Sequence, residues 1–181
     1  MAGSSDLMPI YPYKRLAWLN ELSRAKAEAA FLDCCGSTEW ARRMAEDRPF
    51  VMIEQLFGAA CRVWLSLSTA DHLEAFAAHP KIGSKKTAAA QKKTAGEWSK
   101  AEQSAVKMSG KKVLDQLADC NRLYEQRFGF IFIVFAAGKT ADEMLAVCKA
   151  RLGNSVETEL QIAAEEQQKI TELRLTKLLE L

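Results

Sequence analysis

The stretch NSVETELQIAAEEQQKITELRLTKLLEL (154–181) decides the fold. Val156, Leu160, Ala163, Ile170, Leu173 and Leu178 recur along it on one helical stripe, and Asn154 or Ser155 stands where an N-cap belongs. All four prolines lie in the first 80 residues, so nothing from residue 81 onward forbids long helices. Just upstream, Thr140-Ala141-Asp142-Glu143 forms a capping box for a helix ending at Gly153. Residues 99–128 read as a second long helical region that Ser109-Gly110 can break. Between these helices lies GFIFIVFAAG (129–138), β-branched, aromatic and bounded by glycines. It reads as an extended segment or a deeply buried helix end.

The N-terminal half is punctuated the same way. Residues 21–35 are rich in Ala and Leu and end at Gly36, a C′ glycine. Ser37 caps a short helix through Ala45 that stops before Arg48-Pro49. Residues 50–67 carry Val51, Ile53, Leu56, Phe57, Ala60, Val63, Trp64 and Leu67 at helical spacing. Ser68 and Thr69 then start a helix over 71–77. The expectation is an all-α protein: residues 1–181 as one helical bundle domain of seven to eight helices, with 1–14 a flexible extension.

Composition narrows the function. The 181 residues are 49% hydrophobic and 27% charged, values of a globular chain. A net charge of +2 argues against a dedicated nucleic-acid binder. No apolar run spans a bilayer, and no leader pattern opens the chain, so a soluble cytoplasmic protein is expected. Cys34, Cys35, Cys61, Cys120 and Cys148 match no zinc spacing and read as reduced thiols. The only histidines are His72 and His79, too few for a multi-histidine metal centre.

Three features could carry chemistry. His79-Pro80 closes a helix and opens a glycine-containing loop, and the proline biases His79 out of the helical region. An imidazole so placed can act as acid, base or donor, or can simply rest at a helix end. His72, in a polar helix start, reads as solvated. Ser99, Glu102 and Gln103 fit a capping box, yet carboxylate beside carboxamide also matches an amide- or urea-like ligand. Residues 81–112 hold nine lysines against two acids, either a solvated loop or a means of steering a small anion. The apolar 129–138 segment needs partners for its backbone, and a ligand can be one. GxGxxG, P-loop, GxSxG and HExxH signatures are absent.

With AFAAHPKIG (75–83), WSKAEQ (98–103), NRLYEQRFGFIFIV (121–134), AAGKTADEML (136–145), RLGNS (151–155) and ITELRL (170–175), the chain resembles the OHCU decarboxylases of the bacterial-type branch. These enzymes act on 2-oxo-4-hydroxy-4-carboxy-5-ureidoimidazoline in the urate-to-allantoin pathway. The resemblance implies an all-α homodimer with no metal or organic cofactor, no nucleic-acid partner, no membrane, and a small anionic substrate. It implies His79 and Glu102 as catalytic residues. Pro80, Ser99, Glu102, Gln103, Phe132, Ile133, Val134, Phe135 and Ala136 match substrate-binding positions. Two rivals remain at this point: a non-catalytic helical module using the Lys-rich 81–112 segment, and a divergent decarboxylase of a related ureide.

Overall fold

The computed structural model describes residues 11–80 and 111–181. Among them are eight α-helices and no strand: α1 (Tyr11–Glu21), α2 (Arg24–Cys35), α3 (Thr38–Glu46), α4 (Ile53–Leu65), α5 (Thr69–Ala77), α6 (Lys111–Phe128), α7 (Ala141–Arg151) and α8 (Val156–Leu179). The all-helical expectation therefore holds. Residues 11–14, read from the sequence as part of an extension, instead begin α1. Pro12 is compatible with that start because the first-turn N–H groups lack helical partners in any case.

The sequence punctuation acts as its chemistry dictates. Ser37, Ser68, Thr140 and Ser155 each accept a backbone N–H three residues on, and Asp71 and Glu143 complete capping boxes. At the last cap the choice is Ser155, because Asn154 turns its amide to Glu159 instead. Gly36 ends α2 at φ +88°, and a Cβ there would lie 2.6 Å from the Ala78 Cβ. Both the dihedral and the contact require glycine, so the end of α2 closes directly onto the residue before His79.

Helix α8 runs through the bundle and touches α1, α2, α4 and α5, while α2 lies along α3 and α6 along α7. Two tryptophans fill the core and satisfy their N–H groups on backbone carbonyls: Trp40 donates to Ala60 O at 3.1 Å and Trp64 to Ala164 O at 3.1 Å. Arg48 donates to the carbonyls of Leu19 at 2.7 Å and Leu22 at 2.8 Å, tying the end of α1 to the turn after α3. Tyr124, Phe128, Phe130 and Phe132 form an aromatic cluster, joined to α5 through Phe76 and Phe130 at 5.4 Å between ring centres. Residues 131–136 form neither helix nor strand.

The buried face of α8 differs from the predicted stripe. Val156 is 50% exposed, while Glu159, Gln167, Thr171 and Arg174 are buried together with Ala163, Ile170, Leu175, Leu178 and Leu179. Polar side chains therefore occupy core positions, and each needs a partner. Those partners define the site.

Candidate active site

His79 follows α5 and is partly buried. Its Nε2 lies 2.6 Å from Gln167 Oε1, and its Nδ1 lies 3.4 Å from an Arg174 guanidinium nitrogen. Burial first, and the Arg174 cation second, push the imidazole down to about 3 against the opposing hydrogen bond it donates to Gln167. The ring is therefore neutral at physiological pH. Arg174 also donates to Cys34 O at 3.3 Å, and Gln167 Nε2 donates to Cys35 O at 3.1 Å. Two side chains of α8 thus satisfy carbonyls at the end of α2 while facing the imidazole. The Cys35 thiol is pushed up to about 12 by burial, which keeps it protonated and unreactive.

The segment holding Phe132, Ile133, Val134, Phe135 and Ala136 is a candidate second wall, tied to α8 through Glu166. Phe132, Ile133, Val134 and Ala136 are buried, and Phe135 is half-buried. The Ile133 carbonyl accepts from Arg151 Nη1 at 2.8 Å. The Phe135 N–H donates to Glu166 Oε2 at 2.7 Å, and its carbonyl accepts from Lys139 Nζ at 2.7 Å. No hydrogen bond joins the backbone of Phe132 or Val134 to another described residue. Partial burial opposes ionisation of Glu166, but Lys169 and the Phe135 N–H outweigh it and hold the carboxyl below its usual range.

Beneath this wall sits a closed ionic knot. Arg151 Nε donates to Glu159 Oε1 at 2.5 Å, and Arg151 Nη2 donates to the Tyr124 hydroxyl at 3.2 Å. Tyr124 donates its own proton to Glu159, and Asn154 Nδ2 donates to Glu159 Oε2 at 2.8 Å. Burial first, and the bond to Glu159 second, raise Tyr124 above the ordinary phenol range.

Of the residues singled out in the sequence, His79, Pro80 and residues 132–136 are described. Ser99, Glu102 and Gln103 lie outside the described residues, as does most of the Lys-rich segment. His79 and the 132–136 backbone are tied to consecutive residues of α8, Gln167 and Glu166 respectively. Gln167 and Arg174 escaped the sequence reading. Their signal was a polar residue on an otherwise apolar helical face, at 159, 167, 171 and 174. His72, expected to be solvated, is half-buried, with Nε2 at 3.1 Å from Trp64 O and its ring 4.2 Å from the Trp64 ring. Among the described residues no cluster of His, Cys, Asp and Glu suits a metal ion, and no helix is long and apolar enough to cross a membrane.

A neutral imidazole held between a carboxamide and a guanidinium is chemically able to exchange a proton. Comparison with known proteins names the family. The OHCU decarboxylase family profile matches residues 20–176, and the chain belongs to that family. A crystal structure of OHCU decarboxylase, solved in the presence of (S)-allantoin, is 38% identical and superposes with a TM-score of 0.72 over 83% of this chain and 97% of that one. The uric acid degradation bifunctional protein TTL of Arabidopsis thaliana is 40% identical over 146 residues. That alignment spans 80% of this chain but only 45% of the plant protein. The 2-oxo-4-hydroxy-4-carboxy-5-ureidoimidazoline decarboxylase of Haloferax volcanii is 29% identical over 88% of this chain and 93% of its own length. A solved (S)-allantoin synthase, 21% identical with a TM-score of 0.66, shares the fold.

Proposed function

We propose that this decarboxylase takes 2-oxo-4-hydroxy-4-carboxy-5-ureidoimidazoline between His79 and the 132–136 backbone and yields (S)-allantoin and carbon dioxide. The carrying observation is the fork on α8. Gln167 holds the imidazole at 2.6 Å and its neighbour Glu166 holds the Phe135 N–H at 2.7 Å, so one helical turn sets both walls.

The chemistry asks for little else. The carbon–carboxylate bond breaks and its electron pair passes into the adjacent ring imine, whose nitrogen takes up a proton from water, so the sink belongs to the substrate and no cofactor is needed. The 4-hydroxyl then gives up its proton as that carbon becomes a carbonyl. His79, neutral and so able to bind a proton, accepts it, and its return to carbon on one face sets the S configuration. Arg174 supplies a fixed positive charge for the substrate carboxylate and the developing anion. The backbone groups of Phe132 and Val134, which bond to no other described residue, suit the ring and ureido groups. In this reading Glu102 and Gln103 grip the ureido and ring N–H groups, Ser99 orients them, and Pro80 shapes the wall beside His79.

The test generates the unstable intermediate from urate with urate oxidase and hydroxyisourate hydrolase, then follows allantoin by circular dichroism. Added protein should speed decay and enrich one enantiomer; racemic product at the spontaneous rate sinks the reading. His79→Ala should lower kcat by about 10²–10⁴-fold with the helical spectrum intact. Glu102→Ala should lose activity as well; a loss of about 1 kcal/mol in stability with full activity would make Glu102 only a cap. The resemblance also supports a homodimer, which light scattering tests. Five free thiols, four of them buried, support a reducing cytoplasmic setting.

A further inference from the structure

The polar group most deeply committed to the imidazole is an uncharged one. The Gln167 side chain is fully buried, and a carboxamide looks the same to sterics whichever way it is turned. Its partners remove the ambiguity. Gln167 Nε2 lies 3.1 Å from Cys35 O, a carbonyl that can only accept. It also lies 3.2 Å from Thr171 Oγ1, whose own proton goes to Gln167 O at 3.0 Å, leaving that oxygen an acceptor too. Two acceptors fix the amide nitrogen, so Oε1 must face His79 Nε2 at 2.6 Å. An oxygen there demands a proton on Nε2. A neutral ring then carries its lone pair on Nδ1, the nitrogen turned toward Arg174.

We propose that Gln167 is a positioning residue that locks His79 in its Nε2–H tautomer and presents Nδ1 as the proton-accepting nitrogen. Thr171 and the Cys35 carbonyl hold the lock. A free imidazole exchanges tautomers, and each wrong one would direct an N–H at the Arg174 cation. The lock removes that population before substrate arrives, which acts on the chemical step rather than on binding. The kinetic part of this inference rests on the catalytic reading of His79; the tautomer itself does not.

The test uses the full chain with ¹⁵N-labelled histidine and long-range ¹H–¹⁵N spectra at neutral pH. Only two imidazoles contribute, and His79→Ala assigns them. His72, donating from Nε2 to Trp64 O, provides an internal standard for the same tautomer. Wild-type His79 should show a protonated Nε2 and a bare Nδ1. An Nδ1–H or averaged signal overturns the lock without any variant. Gln167→Met should give averaged His79 signals and a kcat about 10–100-fold lower, with KM within about threefold and no further loss when combined with His79→Ala. A folded Gln167→Met protein with an unchanged tautomer and kcat overturns the proposal. Thr171→Val, a milder change, should shift the same signals part-way and lower kcat about threefold or more; no movement in either readout counts against it. Should His79→Ala retain activity, the catalytic role of His79 falls, while the spectra still decide the lock.

Discussion

Two buried polar clusters sit on the same face of α8, and they are built on opposite principles. The knot around Glu159 pairs a full positive charge with a full negative one and closes every bond among Arg151, Glu159, Tyr124 and Asn154. The pocket around His79 contains a guanidinium and a carboxamide but brings no carboxylate of the described residues within bonding distance of the ring. A closed ion pair gains from staying as it is, and its output is position: the Ile133 carbonyl held at 2.8 Å. A neutral ring beside a cation is poised to change, since a proton arriving with a negative substrate group alters its balance. One cluster holds position, and in the proposed reading the other is the reactive surface, although both place polar side chains on the buried side of the same helix.

The comparison can be broken most forcefully at the knot. Glu159→Leu leaves the Arg151 charge buried and unpaired, which should cost about 3–5 kcal/mol in urea unfolding. Replacing both partners, Arg151→Met with Glu159→Leu, should recover most of that stability yet leave activity low, because the Ile133 carbonyl loses its donor. Full activity in the double variant would show that the knot does not position the 132–136 wall. Tyr124→Phe removes two charge-assisted bonds, one donated to Glu159 and one accepted from Arg151, and should cost about 1.5–3 kcal/mol by the same measurement.

The pocket should instead reveal itself in pH dependence. In the unfolded chain an imidazole protonates near pH 6.5. In the folded chain it resists protonation down to about 3, so between these values the unfolded state binds more protons. Stability supported by the neutral ring is therefore complete above about pH 6.5 and drains as pH falls toward 3. Unfolding free energy should fall less steeply over that window in His79→Asn than in wild type; equal slopes would mean the ring is not held neutral. The smallest expected effect is at Lys169→Ala. Its bond to Glu166 is 2.5 Å, but the lysine is 55% exposed, so less than about 1 kcal/mol should be lost in thermal unfolding.

How far the sequence carried the reading can be seen element by element. Caps at Ser37, Ser68, Thr140 and Ser155 were legible because a hydroxyl before a helix acts locally. The all-α class followed from spacing and from the position of the prolines. Helix α1 was missed because residues 1–14 were read as an extension and no helix was assigned before residue 21, whereas the helix runs over Tyr11–Glu21. His79 stood out through its neighbours Pro80 and Gly83, the 129–138 segment through its apolar excess, and residues 132–136 within it only through the family resemblance. Gln167, Arg174 and the knot were not legible. A glutamine or arginine on a long helix reads as solvent-facing, and only the end of α2 packed against α8 shows that these face inward. Residues as far apart as 35, 79, 167 and 174 meet through packing that no local pattern records.

The pairing of Glu166 with the wall and Gln167 with the imidazole sets a tolerance on the whole enzyme. Consecutive helical residues are separated by about 100° of rotation and about 1.5 Å of rise, quantities set by backbone bonding. The gap between the ring and the Phe135 backbone is therefore gauged by the stiffest element of the fold and not by a loop. A slide of α8 by a single residue would move both contacts at once, so in the proposed reading the spacing of the site is tied to helix register. Insertions or deletions in α8 between Glu159 and Arg174 should then be far more damaging than equal changes after Leu179.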